Sequence, residues 1–169
     1  MSRGVLVAGI GNIFQTDDAF GVEVVATLSQ RPLPPGVRVE DFGIRGIHLA
    51  YELLEGYDAL VIVDAVPMGE PPGTLAVISP ALDPSADTDA DTAVPAVDAH
   101  TMSPDVVLAT LSRLGGSVGQ VYIVGCQPAD LQDGMGLTPA VLAAVGGAVD
   151  LCLELVTDIV QPAGKGTPQ

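Results

Sequence analysis

Apolar runs and helically spaced apolar positions alternate along the chain. Val5-Leu6-Val7-Ala8-Gly9-Ile10 is continuous and rich in Val and Ile, the pattern of a strand buried on both faces. From about Asp18 to Leu28, Phe20, Val24 and Leu28 recur on one helical face. Pro32, Pro34, Pro35 and Gly36 break the chain, and Val37–Phe42 follows as a second strand. Ile47, Ala50, Tyr51 and Leu54 have the spacing of a short helix whose buried face they would form, closed by Gly56. His48 flanks that face and reads as a partly buried helix histidine.

Ala59–Val66 is the third and most apolar strand, and Pro71-Pro72-Gly73 turns the chain into a fourth, Thr74–Ile78. The link between them is too short for a crossover helix. The fourth strand is therefore antiparallel to the third if the two are adjacent, or else a local excursion at the edge. Pro80–Ala99, dominated by Asp, Pro, Thr and Ala, reads as a surface loop. Ser103-Pro104-Asp105 places a capping hydroxyl, a proline and an acid at a helix start that runs to about Leu114. Val121–Cys126 is a fifth strand, and Thr138-Pro139 opens a last helix to about Val160. Strands separated by helices predict one three-layer α/β/α domain over residues 1–160, with a mostly parallel sheet and a tail at 161–169.

Composition narrows the function. With 169 residues, 48% of them hydrophobic and 16% charged, the chain has the makings of one packed core. Six Lys and Arg against 21 acids give a net charge of −15, which excludes a phosphate-tracking nucleic-acid surface and disfavours anionic membranes. Cys126 and Cys152 form neither a CxxC nor a zinc spacing and read as two free, buried thiols of a reducing cytoplasm. Asp150, Glu154 and Asp158 line one face of the last helix, the mark of an amphipathic helix and not of a membrane span.

In parallel α/β sheets ligands sit beyond the carboxyl ends of the strands. That edge receives Gly11–Asp18, Gly43–Gly46, Asp64 and Cys126-Gln127. The first loop, Gly9-Ile10-Gly11-Asn12-Ile13-Phe14-Gln15-Thr16-Asp17-Asp18, begins like a nucleotide-binding turn. However, Phe14 stands where a third glycine belongs, and two carboxylates occupy the position a phosphate would need. Capping requires only one of Asp17 and Asp18. Asp64 ends the most hydrophobic strand, and His100 precedes a capped helix. Asp18, Asp64 and His100 together would offer two carboxylates and an imidazole, a set that suits nickel, zinc or iron with positions left open.

The chain resembles the nickel–iron hydrogenase maturation endopeptidases over nearly its whole length. The resemblance rests on Gly9-x-Gly11-Asn12, on Asp17-Asp18 with Gly21, and on the strand closing in Asp64-Ala65. His100 before a helix, Gly125 and Leu137-Thr138-Pro139 complete it. It implies a five-stranded sheet with one antiparallel strand and removal of a C-terminal extension from a hydrogenase large-subunit precursor after nickel insertion. It also implies metal contacts at Asp18, Asp64 and His100. Nickel would come with the substrate, and the same ligands would accept another divalent cation. Gly11, Asn12, Asp17, Gly43 and Gly46 are the expected substrate-binding positions. Where relatives carry Asp-Gly-Gly-Thr-x-Gly, this chain has Asp41-Phe42-Gly43-Ile44-Arg45-Gly46. Asp18, often Glu in relatives, and Asp64 are the candidate catalytic carboxylates of a monomeric cytoplasmic enzyme.

Cys126 lacks a histidine partner for nucleophilic work. Asp87-x-Asp89-x-Asp91 with Asp98 imitates a calcium loop but has Thr92 where glycine is needed; as a solvated acidic loop it would attract a basic substrate tail. Two rival classes are a non-hydrolytic nickel-binding assembly chaperone for hydrogenase and a small nucleotide-binding enzyme. Shortening of a nickel-loaded precursor separates the first from a peptidase, and a nucleotide thermal-shift screen tests the second.

Overall fold

The computed structural model describes residues 4–79 and 104–161. Five strands form one sheet: β1 (Val5–Ile10), β2 (Val37–Gly43), β3 (Ala59–Ala65), β4 (Leu75–Ile78) and β5 (Gln120–Cys126). Their order is β2-β1-β3-β5-β4. All neighbours are parallel except β4, which runs antiparallel to β5 with Leu75 opposite Cys126. The fourth strand is thus an edge excursion and does not pair with the third. The helices are α1 (Phe20–Leu28), α2 (Gly46–Leu53), α3 (Pro104–Arg113) and α4 (Pro139–Val160), and a 3-10 turn at Thr16–Ala19 precedes α1.

Alternation along the strands sorts side chains to the two faces. Val5 and Val7 of β1 and Val61 and Val63 of β3 meet α1 and α4 through Phe20, Val24, Leu28, Val149 and Cys152. Leu6, Ala8, Leu60 and Ile62, one residue out of phase, meet α2 and α3 through Leu49, Leu53, Val107 and Leu111. Every residue of β1 is buried, which is why its sequence is an unbroken apolar run. Each large aliphatic side chain enclosed this way contributes about 1.5–3 kcal/mol.

The face assigned to α2 from its sequence is wrong. The helix buries Leu49, Ala50 and Leu53, while Ile47, Tyr51 and Leu54 are 51%, 53% and 40% exposed and His48 is exposed too. In so short a helix with apolar residues all round, spacing alone does not choose a face; the approach of the chain from β2 does. The helix Pro139–Val160 is long and apolar enough to cross a bilayer. It nevertheless buries Val141, Ala148, Val149, Cys152 and Val156 in the core, with Asp150, Glu154 and Asp158 exposed. Both cysteines are free and buried.

The chain leaves β1 for one face of the sheet, through α1, and reaches β2. After β3 it continues away from β1, and the next described helix, α3, packs on the other face. The connections therefore diverge between β1 and β3. The crevice at their carboxyl ends is the topological switch point of the sheet.

Candidate active site

The loop after β1 is held by close backbone approach. Gly11 has φ +143, and a Cβ there would lie 1.8 Å from the Asp18 carbonyl oxygen. At Gly21, a Cβ would lie 2.0 Å from the Val63 carbonyl oxygen and 2.5 Å from that of Ile10. The start of α1 is thereby pressed against β1 and β3, bringing Asp18 to Asp64 across the switch point. The Gly11 amide donates to the Gly43 carbonyl at 2.9 Å, at an irregularity in the β1–β2 register, so the loop after β2 joins the same rim.

Asp18 Oδ2 accepts the Asn12 amide at 2.8 Å, and Asn12 Oδ1 in turn accepts the Phe14 amide at 2.8 Å. Among the described residues Asp18 Oδ1 makes no hydrogen bond, which leaves it for a ligand. Asp64 is partly buried at the end of β3. Burial first, and the neighbouring Asp18 charge second, push its carboxyl up to about 8 against one opposing hydrogen bond from the Ala65 amide. At neutral pH Asp64 therefore keeps its proton unless a cation or basic group arrives. A buried acid that cannot ionise comfortably beside a second acid is suited to a divalent cation, which relieves the burden. The pair is equally suited to proton transfer.

The structure brings Asp18, Asp64, Gly11, Asn12 and Gly43 to this rim, while Gly46 opens α2. His100 and the Asp87–Asp98 segment lie outside the described residues. Among the described residues no three His, Cys, Asp or Glu gather as a metal-binding group.

Asp17 is a correction. Expected to touch substrate, it has no exposed surface. Its Oδ2 accepts the amides of Ala129 at 2.8 Å and Asp130 at 3.0 Å, and its Oδ1 accepts the Thr138 amide at 2.7 Å. The Thr138 hydroxyl donates to the same carboxylate. Burial alone would raise its pKa, but these donors outweigh it and hold the carboxylate below its ordinary range. Asp17 therefore clamps the first loop to the start of α4. Beside it, Thr16 adopts φ +51, donates its amide to Gly134 at 2.9 Å and its hydroxyl to Gln132 at 2.6 Å, while Gln15 bridges Gly134. A β-branched residue in that conformation costs about 1–2 kcal/mol, offset here by these contacts.

Two further features escape the sequence. Gln127 Oε1 accepts the amides of Met68 and Glu70, tying down the turn that follows Asp64. Its position at the end of β5 was the available signal. The rim also exposes large apolar side chains, Ile13 and Phe14 on one loop and Leu131 and Met135 on the loop bonded to it; Phe14 and Met135 are 61% and 71% exposed. Cys126 is enclosed, and burial, then the Asp17 charge, push its thiol up to about 11, which removes it as a nucleophile.

Comparison with known proteins agrees with this geometry. Residues 22–155 match the family model of the hydrogenase maturation proteases. A hydrogenase expression/formation protein of Rhodobacter capsulatus is 35% identical over 147 residues, covering 86% of this chain and 67% of the relative. The hydrogenase 2 maturation protease of Escherichia coli is 34% identical over 161 residues, covering 91% of each. The solved structure of a hydrogenase maturating endopeptidase from E. coli superposes with a TM-score of 0.74 at 31% identity, covering 92% of this chain and 93% of that one. Family model, sequence relatives and solved structure converge: this chain belongs to the hydrogenase maturation protease family.

Proposed function

We propose that this protease removes the C-terminal extension of a hydrogenase large-subunit precursor in the cytoplasm, and that it reads the nickel already held by that precursor. The observation that carries the reading is the pair Asp18 and Asp64 at the β1/β3 crevice, one carboxyl pushed up to about 8 by burial and by its neighbour. Such a pair gains most from a cation that arrives with the substrate. An empty precursor offers no such gain, so differential binding supplies the metal check. His100 is the proposed third contact. The exposed Ile13, Phe14, Leu131 and Met135 on the rim suit a folded protein partner better than a small molecule.

In the cleavage step Asp64, whose own proton the arriving cation displaces, takes a proton from the attacking water and returns it to the departing amine. Asp18, across the crevice, holds the cation. The metal positions the tail so that the scissile amide lies between them. The test is incubation of wild-type protein and Asp64→Asn with nickel-loaded and nickel-free precursor, read by mass spectrometry. Wild type should shorten only the loaded precursor. Asp64→Asn should leave it intact while retaining the wild-type circular dichroism spectrum. Equal cleavage of both precursors would overturn the metal reading, and normal processing by Asp64→Asn would overturn the carboxylate mechanism.

A further inference from the structure

The loop joining β2 to α2 carries a guanidinium with an unusual set of partners for so acidic a protein. Arg31 pairs with Asp150 and Arg38 with Glu40 and Glu52, and Arg113 is engaged as well. Arg45 has no carboxylate partner among the described residues. Its Nε donates to the Phe42 carbonyl at 3.1 Å and its Nη2 to the Asp41 carbonyl at 3.0 Å. Two consecutive carbonyls thus grip the Nε–Nη2 edge and fix the plane of the group. The Nη1–Nη2 edge is left over, with parallel donors spaced to match a carboxylate. The residue is exposed. A net charge of −15 repels anions over most of the surface, so an oriented cation here discriminates sharply by position.

The place matters as much as the charge. Along the rim the strand ends run β2, β1, β3, carrying Arg45, then Asn12 and Asp18, then Asp64. Gly43, two residues before Arg45, is bonded to Gly11. Neighbouring strands lie about 4.8 Å apart, so the ends of β2 and β3 are separated by about 10 Å, or about three residues of extended peptide.

We propose that Arg45 is a specificity-determining residue that binds a carboxylate of the extension being removed, either its terminal carboxylate or an acidic side chain a few residues beyond the cut. This rests on the peptidase reading above. Arg45 acts by holding the departing segment across the crevice and takes no part in proton transfer.

The test compares wild type, Arg45→Gln and Arg45→Lys on nickel-loaded precursor. Two further precursors are used, one with the acidic side chains of the extension changed to amides and one, made by semisynthesis, ending in a carboxamide. Arg45→Gln should raise KM about 10- to 100-fold with kcat nearly unchanged, and Arg45→Lys should recover part of the loss. Wild type should show the same KM penalty on whichever precursor lacks the recognised carboxylate, and Arg45→Gln should show no additional penalty there. That precursor identifies the source. The salt dependence of wild-type KM should disappear in Arg45→Gln.

An unchanged KM in folded Arg45→Gln would overturn the inference while leaving the peptidase reading intact. So would a KM increase that persists undiminished on both altered precursors, since it would mark Arg45 as merely a support for the loop. Failure of wild type to cut any loaded precursor would overturn the peptidase reading and this inference with it.

Discussion

Asp17→Asn offers a sharp test of how the rim is built. The side chain is wholly enclosed and receives the amides of Ala129, Asp130 and Thr138 together with the Thr138 hydroxyl. A carboxamide is nearly isosteric, but it turns one acceptor oxygen into a donor. If its oxygen stays with Thr138, the amides of Ala129 and Asp130 face N–H groups; the flipped orientation abandons the Thr138 amide. Hydrogen bonds to a charged group contribute about 1.5–3 kcal/mol each, so losing one or two of them costs about 2–4 kcal/mol. That is a large part of a typical domain's 5–15 kcal/mol.

Urea unfolding followed by circular dichroism at pH 7 should show the midpoint falling with an unchanged slope. The acid limb gives a second check. The native pKa of Asp17 is depressed, so its contribution is fully present above the unfolded carboxyl's value of about 3.9 and is lost as pH falls through the lower native value. The gap between wild type and variant should therefore close in acid. A variant within about 0.5 kcal/mol of wild type at pH 7, or a gap that persists into acid, would refute this account.

Asp64→Asn should stabilise the metal-free protein at neutral pH by about 2–4 kcal/mol. Because the native pKa is raised to about 8, the stability tied to the protonated form is complete below about pH 4 and declines as pH rises toward 8; chemical denaturation across that window should show the decline flattened in the variant. Gly21→Ala should destabilise by about 3 kcal/mol or more, against the usual helix benefit of alanine, because its methyl would meet the Val63 and Ile10 carbonyls. Thermal melting and loss of cleavage should report it together. Cys126 and Cys152, buried and with thiols pushed up to about 11 and about 12, should resist iodoacetamide at pH 8 in the folded protein and react once it is unfolded.

The strands were legible because burial on both faces leaves unbroken apolar runs, as in β1 and β3. Asp64 was legible for the same reason, as the acid that ends such a run. The clamping role of Asp17 was not legible, because it depends on Ala129, Asp130 and Thr138, more than 100 residues away. The buried face of α2 was misassigned because a helix of 8 residues offers too few turns for periodicity to outvote Ile47 and Tyr51. Arg45 was not legible, since it falls on the unspecified position of the family's loop, and the carbonyls of Asp41 and Phe42 that orient it belong to the folded end of β2.

The Asp17 clamp also has a consequence for synthesis on the ribosome. Its partners follow it by 112, 113 and 121 residues, so this clamp cannot close until Thr138 has left the exit tunnel. Closing so long a loop is paid for only once native contacts reward it, and such non-local pairings form late. A nascent chain thus fastens this corner of the rim after the sheet beneath it, and a fragment ending before Thr138 would leave the buried Asp17 short of its amide and hydroxyl.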